Sequence, residues 1–159
     1  RLQMKDVSGM EHYERLAGVS VPSKGYFLDT GTRHYVRFVD DLEHYDIVSE
    51  GRTIRYGAAE FLPVGVNVNF VEQSENGVKV RTYEKGVEDE TYACGTGIVA
   101  SCIAGYEHGL KPSSDKDGTV RYEVQAKRDS LAVDFKAAGW PVTEVWLTGP
   151  ATFVAEIEI

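Results

Sequence analysis

The residues with the most chemical potential lie in one stretch, Tyr92-Ala93-Cys94-Gly95-Thr96-Gly97-Ile98-Val99-Ala100-Ser101-Cys102. Its Gly95-Thr96-Gly97-Ile98-Val99-Ala100 fits the G-x-G-x-x-A dinucleotide pattern. That motif needs an apolar strand just before it and an acid ending a strand about 20 residues later. Here Glu84 to Tyr92 is polar, and Asp115 and Asp117 fall in a loop-like stretch, so a nucleotide loop is set aside. Two readings stay open. In one, small residues let a buried helix start close to neighbouring strands, with cysteine as a buried apolar residue. In the other, Cys94 is a thiolate at a helix N-terminus. Unpaired N–H groups and the helix dipole there lower a thiol pKa and make the sulfur a usable base or nucleophile. The N–H groups of Gly95, Thr96 and Gly97 can then bind a carboxylate. Cys102, inside the helix, reads as core.

Other polar residues recur in telling places. Glu84 ends a strand that Gly86 breaks, and an acid there can hold a substrate ammonium; Glu88 and Asp89 read as a solvated acidic loop. Asn67 and Asn69 lie on the same side of a strand. Asparagine is depleted in strands, so the pair either binds a polar ligand or caps a sheet edge. His34, in Gly31-Thr32-Arg33-His34 between two strands, fits a satisfied core position as well as an acid/base role.

The elements that must position these residues are mostly strands. Tyr26–Leu28, Tyr35–Val39, Val66–Val71, Val78–Tyr83, Val120–Val124, Leu131–Phe135, Val145–Leu147 and Phe153–Ile159 are rich in aromatic and β-branched residues. Turn signals at Glu75-Asn76-Gly77, Asp117-Gly118 and Gly149-Pro150 divide them, and 111–118 reads as a polar surface loop. A short amphipathic helix is predicted over Ile47–Tyr56. A longer one is predicted over Thr96–His108, stopped by Gly109 and Pro112. The second helix is apolar nearly all round, which marks a buried helix. The expected class is α+β, a mixed sheet curved into a barrel around that central helix.

Composition bounds the rest. The 159 residues suit one domain, and 42% hydrophobic with 26% charged residues is ordinary for a globular chain. A net charge of -8 argues against nucleic acid or an anionic membrane as partner. No apolar run approaches the ~20 residues of a membrane span. Two cysteines without zinc-type spacing point to neither disulfide scaffold nor metal site, and make a reducing cytoplasm the default. Arg1 to Val7 already alternates like a strand, so the sequence reads as opening partway through a larger protein.

The ordered series Gly31-x-x-His34, Asn67-Val68-Asn69-Phe70, Tyr83-Glu84-Lys85-Gly86, Glu90-Thr91-x-x-Cys94-Gly95-Thr96-Gly97 and Leu147-Thr148-Gly149-Pro150-Ala151 resembles the diaminopimelate epimerases, through most of the chain. The resemblance implies a cofactor-independent enzyme of two pseudo-symmetric halves with the substrate, LL- or meso-diaminopimelate, in the cleft between them. Each half would give one cysteine from the start of its central helix, so that two acid/base groups flank one carbon. This chain is similar to the second half only, residues 1–159, and by itself should be inactive; the N-terminal half would be its partner. Cys94 would be the second-half cysteine. Glu84 and His34 would line the site and assist the acid/base steps, Asn67 and Lys85 would meet the distal end of the substrate, and Gly95 and Thr96 would offer N–H groups to its α-carboxylate. The last strand, 153–159, would pack on the missing half, leaving an edge that can drive homodimerisation, and oxidation would cross-link Cys94 to the partner cysteine. Two departures stand out. Thr32 replaces the family's usual Asn, a substrate contact. Lys85 replaces an Arg, keeping charge but losing the bidentate fork; Arg33 is a candidate to compensate. An isomerase of another amino acid on the same fold and a non-catalytic anion-binding domain remain the alternatives.

Overall fold

The computed structural model describes residues 1–150. It contains eleven strands: β1 (Leu2–Gln3), β2 (Glu11–Tyr13), β3 (Gly25–Asp29), β4 (Arg33–Phe38), β5 (Asn67–Ser74), β6 (Gly77–Glu84), β7 (Asp89–Thr91), β8 (Ser114–Lys116), β9 (Thr119–Gln125), β10 (Ser130–Lys136) and β11 (Thr143–Thr148). Among the described residues there are two α-helices, α1 (Ile47–Gly57) and α2 (Gly95–His108), and a 3-10 turn at Ala59–Phe61. The strands form one mixed sheet in the order β1-β11-β10-β9-β6-β5-β4-β3-β2, with β7 on β6 and β8 on β9. The β4–β5 and β6–β9 pairs are parallel; the others are antiparallel.

The mixed α+β class is as expected, but among the described residues the sheet is not closed into a barrel. Its ends, β1 and β2, have two and three residues and lie at opposite ends of the strand order. Edges this short leave no ladder between the two ends of the sheet. The opening alternation is a strand in part: Leu2 and Gln3 pair with Leu147 and Trp146, and Val7 bridges Val142. The predicted strand at 153–159, with its proposed edge, lies outside the described residues.

The two helices take opposite faces of the sheet. α2 is buried from Gly95 to Gly105, and Ile98, Val99, Cys102 and Ile103 join one core with Val36, Val71, Val80, Val133 and Leu147. Each large side chain buried there contributes roughly 1.5–3 kcal/mol. The helix stops where the sequence says it should. Gly109 takes φ 99 and, with Leu110, returns hydrogen bonds to the Gly105 carbonyl. α1 starts at Asp46, whose carboxylate accepts from the Ser49 amide, and packs Ile47 and Ile54 into a second core with Tyr35, Phe61, Phe70 and Tyr83.

Two short strands escaped the sequence reading. β8 forms a hairpin with β9 across Asp117 and Gly118, both at positive φ, so 111–118 is not simply a loop. β7 folds back on β6 and carries the chain toward Cys94. It is held by Glu90, whose carboxylate accepts from Arg81 at 2.6 and 2.7 Å and sits 3.5 Å from Lys127. Asp89 is exposed, but Glu88 is no solvated loop residue: it accepts from the Tyr83 hydroxyl and pairs with Arg55 at 3.2 Å.

Candidate functional site

Cys94 is the N-cap of α2. It has extended backbone and no side-chain capping bond, so the first amides of the helix are left for other partners. Its half-buried sulfur lies 3.4 Å from the Thr96 hydroxyl. Thr96 Oγ1 in turn sits 2.8 Å from His34 Nε2 and 3.0 Å from Thr32 Oγ1, and Thr32 Oγ1 is 2.9 Å from the same His34 nitrogen. Four residues singled out by sequence are therefore in contact: Cys94, Thr96, His34 and Thr32.

The second glycine of the turn has a packing reason. A Cβ on Gly97 would lie 2.5 Å from Asn69 Oδ1 and 3.0 Å from the His34 ring. The helix start thus presses on a buried polar pair, and Gly97 makes that approach possible.

His34 does not line an open site. It is fully buried beneath Thr96, and burial lowers its pKa from 6.5 to about 3, so it is neutral at physiological pH. Its folded pKa lies below its unfolded one. The stability from keeping it neutral is therefore full above pH 6.5 and is lost as pH falls toward about 3. Unfolding free energy should drop by about 2 kcal/mol between pH 7 and pH 5, and His34→Gln should remove most of that drop. Denaturant titrations at the two pH values measure this.

The sulfur behaves differently from the sequence expectation. Burial pushes the Cys94 thiol above its ordinary value of 9.0. The Thr96 hydroxyl and the Gly97 and Thr96 amides pull the other way, and the Glu84 carboxylate adds to the rise. Depth in the fold outweighs the helix terminus, so Cys94 is a thiol at neutral pH. Its alkylation by iodoacetamide should still accelerate above pH 9.0; a rate that levels off below neutrality would contradict this.

Glu84 ends β6, near enough for its charge to reach the sulfur, and it accepts from the Thr91 hydroxyl at 3.3 Å. Asn67 is committed at both ends of its amide. Nδ2 donates to the Arg33 carbonyl and Oδ1 accepts from the Lys85 amide, which fixes the Glu84–Lys85 turn and leaves one N–H for a ligand. The Lys85 side chain is exposed and makes no ion pair among the described residues. Arg33, the candidate to compensate, lies on the other face of its strand from His34. Its guanidinium donates to the Gly65 carbonyl and stacks over Phe27, on the α1 side of the sheet, while His34 faces α2. Thr32 is exposed, and its hydroxyl reaches His34 Nε2 and Thr96 Oγ1.

Two contributors carried weaker sequence signals. Asn69 was visible as an oddity in a strand, but its partners appear only once β4 and β5 run side by side. Thr82, which donates to Asn69 Oδ1 at 2.8 Å, gave no signal at all. A surface cleft of about 460 Å³ opens where β6 and β9 part, between Lys79, Arg81 and Lys127, but its Arg81 is spent on Glu90. No cluster of His, Cys, Asp or Glu among the described residues can hold a metal ion, and no described helix is long and apolar enough to cross a membrane.

A mixed sheet packed on a buried helix, with a thiol at the helix's N-cap and a carboxylate within electrostatic reach, defines an α+β domain organised around one cysteine. The chain belongs to the diaminopimelate epimerase family, whose profile matches residues 26–154. It is similar to the diaminopimelate epimerase of Flavobacterium psychrophilum, 36% identical over 99% of this chain and 56% of that protein. It is 50% identical to that of a Hydrogenobaculum species over 84% of this chain and 45% of the relative. With the Aquifex aeolicus protein it shares 42% identity over 83% of this chain and 44% of the relative. The chain thus spans about half the length of the curated relatives it matches.

Proposed function

We propose that the chain is the C-terminal half of a cofactor-independent epimerase that interconverts LL- and meso-diaminopimelate, with Cys94 as one of two acid/base groups. The observation that carries this reading is the place of Cys94, a thiol at an uncapped helix N-terminus, with Glu84 within electrostatic reach and family membership behind it. In such a reaction one sulfur removes the α-proton as thiolate, and the opposite sulfur delivers a proton as thiol. The protonated state of Cys94 suits the delivering role; the reverse reaction exchanges the roles. The backbone N–H groups of Gly95 and Thr96 would donate to the α-carboxylate, where negative charge grows as the proton leaves.

Glu84 would meet the substrate ammonium or assist proton transfer. Asn67 and Lys85 would meet its distal end, Asn67 with its one free amide hydrogen and Lys85 as a point charge. Thr32 offers the substrate less than the family's Asn, being tied to His34 and Thr96. Because the second sulfur must come from elsewhere, the 159-residue chain alone should show no turnover of either isomer. Measurable epimerisation by this chain alone would overturn the two-half account.

A further inference from the structure

The partners of Asn69 fix more than its own orientation. The Tyr35 carbonyl can only accept, and it lies 3.3 Å from Asn69 Nδ2; the Thr82 hydroxyl donates to Oδ1 on the other side. The amide nitrogen is thereby turned to His34 Nδ1 at 3.0 Å. An amide NH2 offers hydrogens and no lone pair, so Nδ1 accepts and the ring hydrogen sits on Nε2.

That assignment orders the hydroxyls beyond it. Nε2–H donates toward Thr32 and Thr96 and can accept from neither. Thr32 can then donate to Thr96 Oγ1, and in that arrangement the Thr96 hydrogen is free for the Cys94 sulfur at 3.4 Å. With the hydrogen on Nδ1 instead, Nε2 becomes an acceptor. It draws the Thr96 hydrogen inward, and the sulfur loses a donor.

We infer that Asn69 is a positioning residue for Cys94: by holding His34 as its Nε2–H tautomer, it directs the Thr96 hydroxyl to the Cys94 sulfur. This rests on the reading of Cys94 as an acid/base group. The arrangement stabilises the thiolate in a site whose burial and Glu84 charge disfavour it. The neutrality of His34, imposed by burial, keeps the chain running in one direction across physiological pH.

The test uses the chain labelled with ¹⁵N-histidine. The His34 ring nitrogens at neutral pH should report Nε2–H; an Nδ1–H signal overturns the inference. In Asn69→Asp the carboxylate demands a donor from Nδ1, so the tautomer should switch and Cys94 alkylation at fixed pH should slow about tenfold. Asn69→Leu adds no charge and should slow alkylation several-fold, with a mixture of tautomers. Unchanged alkylation in both variants, with folding verified by their amide spectra, also overturns it. If the aspartate variant does not fold, the parent tautomer and the leucine variant still decide. Neither readout needs epimerisation. A failure here leaves the proposed role of Cys94 standing, and a failure of that role shows in proton exchange on diaminopimelate.

Discussion

Replacing Cys94 with alanine in the longer parent protein should abolish epimerisation, lowering kcat by roughly 10²–10⁴-fold or more. The substitution removes the group that takes or gives the proton on one face of the α-carbon. It leaves the helix amides for the carboxylate, so the apparent affinity should change much less than the turnover. A sharper consequence follows from there being two faces. The isomer whose α-hydrogen faces the surviving cysteine can still lose and regain it on that face, so exchange of one isomer with solvent should outlast interconversion. Cys94→Ser should behave like alanine, because an alcohol is too weak an acid and its alkoxide too scarce to exchange protons near neutrality. Full activity in Cys94→Ala would remove Cys94 from the chemistry.

The second large effect is on stability. Gly97→Ala would ordinarily help a helix by about 1 kcal/mol. Here the new methyl would lie 2.5 Å from Asn69 Oδ1 and 3.0–3.2 Å from the His34 ring, both fully buried. Either the helix start lifts or the Asn69–His34 pair separates. Overpacking costs about 1–3 kcal/mol, and a broken buried hydrogen bond adds about 1–3 more. The clash wins over the propensity gain, and the net loss should be about 2 kcal/mol or more. Chemical denaturation measures it. A stabilised variant would mean that the start of α2 does not press on that pair.

Much of this arrangement was legible in the residues. α2 could be read from its unbroken apolar run and its glycine stop because burial and chain termination are written locally. The long strands were legible for the same reason. The very short β7 and β8 were not: their residues are polar, and what makes them strands is a partner, β6 or β9, already in place. Closure of the sheet was misjudged because it depends on whether its two ends meet, a property no single segment carries. Within the site, residue identities were readable and their depths were not. His34 read equally as a core residue or an acid/base group; the parallel pairing of β4 with β5 and the close seating of Gly97 put it beneath Thr96, within reach of the exposed Thr32. The Cys94 pKa moved up rather than down because burial is set by the whole fold, whereas the helix terminus that lowers it is visible in four residues. Arg33 looked able to supply the guanidinium that Lys85 lacks, but the alternation of a strand sends it to the opposite face from His34.

The central claim is that Cys94 exchanges the α-proton of diaminopimelate. The most direct test incubates the longer parent protein and its Cys94→Ala variant with reductant and each isomer of diaminopimelate in D2O, following α-deuterium and isomer composition together. The account predicts that the parent converts each isomer with deuterium gained at the inverted carbon, and that the variant performs no conversion. No deuterium incorporation from either isomer by the parent would contradict the account and move the substrate to another amino acid, or the fold to binding without chemistry.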